Sequence, residues 1–162
     1  MKHIEVSKKI TLDRPVSAED FKETLVDYLE KKIEIEHISG NTGSFSIQGS
    51  TGEPSSLTRH AQIDVNIHIR HESEGKVARV IMSGYVRPAR SLIFFYSFAF
   101  VLLLLVGLLP GFVSTSAETS GAVDALFFLI FGIFIVQDIN AKMVAPREYL
   151  ETVLESLNTT FG

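Results

Sequence analysis

The chain has 162 residues, room for one domain and an anchor, and a formal charge of −4 that is unevenly spread. Residues 1–90 hold 13 Lys+Arg against 13 Asp+Glu, whereas the remainder holds 2 against 6. A neutral first part lacks the basic patch that nucleic acid requires, and the absence of cysteine excludes disulfides, thiolate nucleophiles and cysteine-ligated metal or cluster sites.

The opening MKHIEVSKKITLDRP has neither an apolar h-region nor a small-residue cleavage site, so no secretory signal is expected there. Residues 3–12 alternate, with Ile4, Val6, Ile10 and Leu12 on one face and Lys8 interrupting it, which predicts a half-buried strand with one defect. A helix start follows. Ser17 stands at the cap, Asp20 three residues on, and Val16 and Phe21 in the staple positions. Phe21, Leu25, Tyr28 and Leu29 then recur at helical spacing, and Lys31 and Lys32 suit a carboxyl-terminal end.

IEIEHIS and SFSIQ alternate on either side of GNTG and read as two strands joined by a turn. GSTGEPSS reads as a loop. Residues 60–70 form the cleanest strand pattern: Ala61, Ile63, Val65, Ile67 and Ile69 face one way, and His60, Gln62, Asp64, Asn66, His68 and Arg70 the other. HESEGK is a turn, and VARVIMSGYV is a last strand leading into a long apolar run.

That run, residues 91–117, carries no charge and exceeds the ~20 residues a helix needs to cross the hydrocarbon core. ALFFLIFGIFIV follows after a short loop. The two predict a transmembrane hairpin with spans at about 91–111 and 122–140. Arg87 and Arg90 precede it, Lys142 and Arg147 follow it, and the 110–124 loop holds Glu118 and Asp124 but no Lys or Arg. By the positive-inside bias both termini are expected in the cytoplasm, in a bacterial inner (plasma) membrane, with these four residues as a basic collar at the lipid surface. Pro146 suits the first turn of a further helix over 145–162, whose stripe of Leu150, Val153, Leu154, Leu157 and Phe161 should return to the amino-terminal domain (residues 1–90).

The expected fold class is therefore α+β: an antiparallel sheet of about five strands, covered on one face by two helices, with the hairpin inserted before the last helix. This order resembles a shortened helix-grip domain, the arrangement of the START and plant-allergen-like lipid carriers. The resemblance lies in element order over residues 1–90 and 145–162, with fewer strands and one early helix, and it carries no functional residue across. It implies a lipid or small apolar ligand held between sheet and helices.

Candidate chemistry is sparse. His60 and His68 share a strand face but stand roughly 26 Å apart at ~3.3 Å per residue, too far to share an ion. No metal, cofactor or catalytic residue is expected, since GNTG and GSTGEPSS lack a phosphate-loop pattern and no serine sits in a nucleophile elbow. Asn66, His68 and Arg70 are the candidate docking face for a protein partner. Between Asp124 and Asp138 lie 13 residues, roughly 20 Å of helix against a core near ~30 Å, so these acids are candidates for an intramembrane or interfacial position. The expectation is a membrane-anchored, non-catalytic interaction or assembly module in contact with membrane lipids and with a protein partner or its own copies. The alternative is lipid or apolar-ligand binding.

Overall fold

The computed structural model describes residues 1–52, 60–72, 76–107 and 120–162, with the side chains of 106–107 and 120–125 left outside the description. Five strands, β1 (Lys2–Thr11), β2 (Glu34–Gly40), β3 (Ser44–Thr51), β4 (Ala61–Glu72) and β5 (Val77–Pro88), form one antiparallel sheet in the order β1-β5-β4-β3-β2. Three helices, α1 (Ala18–Glu30), α2 (Arg90–Gly107) and α3 (Ser120–Phe161), complete the described residues. The fold is α+β, with α1 and the second half of α3 packed on one face of the sheet.

Alternation sets which side of each strand is buried. Ile63, Val65, Ile67 and Ile69 of β4 meet Val80, Met82 and Val86 of β5 on the covered face, while Asp64, Asn66, His68 and Arg70 face away. Phe21, Leu25 and Leu29 of α1 and Leu150, Val153, Leu154 and Leu157 of α3 close this face, all at 2% exposure or less. Helix α1 starts as its residues dictate: the Ser17 hydroxyl accepts from the Asp20 N–H at 3.1 Å, and the last turn ends before Lys31. Lys8 does point inward, but β1 is an edge strand, so its ammonium escapes to Glu155 of α3 at 4.0 Å. A charge turned inward at an edge also blunts pairing with another chain.

Two glycines let strands approach closely. A Cβ on Gly84 would fall on the Asp64 carbonyl oxygen and the Val65 Cα; one on Gly49 would lie 2.6 Å from the Glu34 oxygen. The second sits beside the bulge between Ile35 and His37, which bends β2.

The carboxyl-terminal part departs from expectation. The helix expected to begin at Pro146 is not a separate element; it is the continuation of the second apolar run, in one helix of 42 residues with Pro146 inside it. The reason is phase. Met143, Pro146, Leu150, Val153, Leu154 and Leu157 are buried in one unbroken 3–4 spacing, so packing holds the helix across the proline, which costs it one N–H donor. Among the described residues one helix, from Leu126 onward, is long and apolar enough to cross a membrane. α2, apolar over Arg90–Leu105, is a shorter helix, so of the two spans expected from the sequence one meets that length among the described residues.

Candidate functional site: the helix junction

α2 leaves the sheet directly: β5 ends at Pro88 and α2 begins at Arg90. Leu92, its first apolar residue, is buried, but Ile93, Phe94, Phe95, Phe98, Val101, Leu102, Leu104 and Leu105 are exposed in succession. α3 mirrors this, exposing Leu126, Phe127, Leu129, Ile130, Ile133, Phe134 and Val136 before its buried stripe starts at Met143. A helix apolar all round belongs in a protein core or in lipid. Here only 6% of the most apolar window of α3 is buried within the chain.

The two helices meet side by side. Phe100 lies edge-on to Phe128 at 6.2 Å, and Ile93, Tyr96, Ser97 and Phe100 face Ile135 and Ile139 across a shallow groove. At the end nearer the domain they are clasped. The Tyr96 hydroxyl donates to the Asp138 carboxylate, and the Lys142 ammonium, one turn beyond, donates to that same carboxylate oxygen. Lys142 Nζ also reaches the Tyr96 hydroxyl oxygen at 3.2 Å and lies 5.5 Å from its ring centroid. The Asp138 and Lys142 side chains are 27% and 25% exposed, so the pair is shielded more than an ordinary surface ion pair. One carboxylate oxygen takes two donors, and the effect is to pin α2 to α3 where both enter the domain.

The sequence-derived candidates fall into separate places. Of the basic collar, Lys142 is engaged by Asp138, Arg147 pairs with Glu151 at 2.9 Å, and Arg87 and Arg90 are exposed at the end of β5 and the start of α2. Asp138 is the acid in the clasp, and the side chain of Asp124 lies outside the described residues. Asn66, His68 and Arg70 do share the outer face of β4. His68 Nδ1 lies 3.0 Å from the Ser44 hydroxyl, and Arg70 stands opposite Arg79, which leans to Glu72 at 3.7 Å. His71 instead faces inward, with its ring 5.9 Å from that of Phe21. No group of three or more metal-type ligands forms among the described residues. Tyr96 escaped the sequence reading. Its signal is a lone phenol early in a charge-free run, together with an Asp138–Lys142 spacing that places both on one helix face.

No family model and no curated protein matches the chain. Among solved structures it is similar to TTHA0849 from Thermus thermophilus, at 11% identity and a TM-score of 0.31, over 96% of this chain and 99% of that one. It is also similar to Ara h 8.0201, at 14% identity and a TM-score of 0.24, over 86% of this chain and 99% of that one. At those scores neither likeness bears on fold or function.

Proposed function

We propose that this chain is a membrane-anchored, non-catalytic interaction or assembly module. Its α2 and the first half of α3 form a transmembrane hairpin, and its α+β domain is held against the cytoplasmic surface. The observation that carries this reading is the character of α3. A single helix is apolar and exposed in its first part and buried in the domain in its second, so the segment read as inserting and the one that closes the sheet are one continuous helix. Lipid satisfies the exposed half without leaving polar backbone unpaired, because a helix bonds its own backbone. The space between sheet and helices is occupied by Phe21, Leu25, Met82, Leu154 and Leu157, and Phe161 stacks on Phe21 at 5.3 Å, which favours a packed domain over a ligand-carrying one. The polar face around Asn66, His68 and Arg70 is then left for a protein partner or a second copy.

Two measurements test this. The protein should stay with the membrane fraction through alkaline carbonate washing. Because the chain has no cysteine, Thr115→Cys should be labelled by an impermeant maleimide in intact cells while Thr42→Cys is not; release by carbonate, or the reverse labelling, refutes the anchor or its orientation. Changing Asn66, His68 and Arg70 together to Ala should remove a co-purifying partner, or dissociate copies, with folding intact. Retention of every association through that change refutes the docking face.

A further inference from the structure

Beyond the anchor, the outer face of the sheet carries a cleft of about 130 Å³, lined by Glu36, Gln48, Gln62, Asp64, Tyr85 and Arg87 among others. It adjoins the candidate docking face, since Asp64 is two residues along β4 from Asn66 on the same outward side. Arg87 and Gln62 are opposite one another in the β4–β5 register, and Asp64 is opposite Tyr85, which makes Arg87 and Asp64 diagonal neighbours with Cα atoms roughly 7–8 Å apart. Their charges oppose, yet among the described residues Arg87 makes no ion pair. Asp64 is held elsewhere, accepting from Gln48 Nε2 at 3.3 Å.

The cleft thus presents cationic groups on its β1–β5 side, the Arg87 guanidinium and the amino terminus of Met1, and carboxylates on its β4–β2 side, Asp64 and Glu36, with amide groups and a phenol around them. A guanidinium is the donor fork that suits phosphate. The Asp64 carboxylate would repel a bare anion but accept from an ammonium group. An anion alone, or a cation alone, would therefore meet like charge on one side of the cleft. A ligand bearing both, spaced by a few bonds, would not. The position of the cleft adds a source. Arg87 is three residues before the first residue of α2, about 10 Å of extended chain from the apolar helix.

We propose that this cleft binds a phosphate–ammonium zwitterion of the phosphoethanolamine type, with Arg87 on the phosphate and Asp64 on the ammonium. That the zwitterion is borne on a bilayer lipid rather than free rests on the membrane reading; the chemistry of the cleft does not.

The test uses the full chain in detergent, titrated with soluble sn-glycero-3-phosphoethanolamine while the side-chain amide signals of Gln48 and Gln62 and the Arg87 Nε–H signal are followed by NMR. Saturable shifts are expected. Arg87→Gln and Asp64→Asn should each weaken binding at least tenfold, and Arg70→Gln, at the far end of the same face, should leave it unchanged. Inorganic phosphate alone and ethanolamine alone should bind at least tenfold more weakly than the joined ligand. A second arm reconstitutes the chain into vesicles of phosphatidylcholine with and without phosphatidylethanolamine. The same signals moving only in the second vesicle identify a lipid source, and movement with the soluble compound alone identifies a free one. Absence of saturable shifts in both arms overturns the proposal, as does an Arg87→Gln titration that matches the parent. Either result leaves the carbonate and labelling outcomes of the anchor untouched, so the two readings fail separately.

Discussion

Replacing Leu157 by alanine asks whether α3 is what closes the domain. Leu157 is fully buried, on the stripe with Leu150, Val153 and Leu154 that packs on β1, β5 and β4. The substitution removes three carbons, about 2.4 kcal/mol at ~0.8 kcal/mol each. A residual void of about 50 Å³ would add roughly 1.2 kcal/mol at ~24 cal/mol per Å³. The expected loss is therefore about 3.5 kcal/mol, a large part of the margin a domain of this size holds. Urea unfolding of the full chain in detergent should show the midpoint falling with little change in slope, and limited proteolysis should open cleavage within β1 to β5. Glu155→Ala, on the same helix but 72% exposed, is the control and should stay within about 0.5 kcal/mol. If Leu157→Ala behaves like that control, α3 does not cover the sheet, and the claim that membrane helix and domain core are one element falls with it.

Three further outcomes follow from other parts of the molecule. Gly84→Ala should destabilise by on the order of 3 kcal/mol or fail to fold, because its Cβ would meet backbone of β4 rather than a movable side chain; a thermal scan showing no loss would contradict the close strand approach. In the clasp, a double-mutant cycle of Tyr96→Phe and Asp138→Asn should give a coupling of roughly 0.5–1.5 kcal/mol, and additive effects would mean the two groups do not interact. Val65→Phe, directed into the packed covered face, should cost about 1–3 kcal/mol; an unchanged melting temperature would instead reveal space there.

Much of the sheet was legible because alternation is a local signal. The Ala61–Ile69 pattern fixes which face of β4 is buried, and the other strands follow by pairing. The cap at Ser17 was legible for the same reason. Pro146 misled because a proline at a first helical turn and a proline tolerated inside a helix look alike in sequence. Only the phase carried through from Met143 separates them, and burial had to reveal it. The clasp was less visible still. Asp138 and Lys142 are readable as an i, i+4 pair, but Tyr96 is 42 residues from Asp138, and nothing in a single sequence brings them together. The cleft at Arg87 and Asp64 depends likewise on register between strands, which composition does not encode.

The division of the domain across the apolar segments also has a consequence in time. The sheet is finished at Pro88, but Leu150, the first of the α3 leucines that cover it, is synthesised about 60 residues later. At ~5–20 residues per second that interval is about 3–12 s. Through it the apolar faces of β4 and β5 have only α1 for shelter, while α2 and the start of α3 are being made. With the hairpin in lipid as proposed, its insertion begins before the domain can close on every chain made. A ribosome stalled in the 110–140 stretch would hold an open sheet at the membrane surface, where a chaperone or a neighbouring nascent chain could reach it.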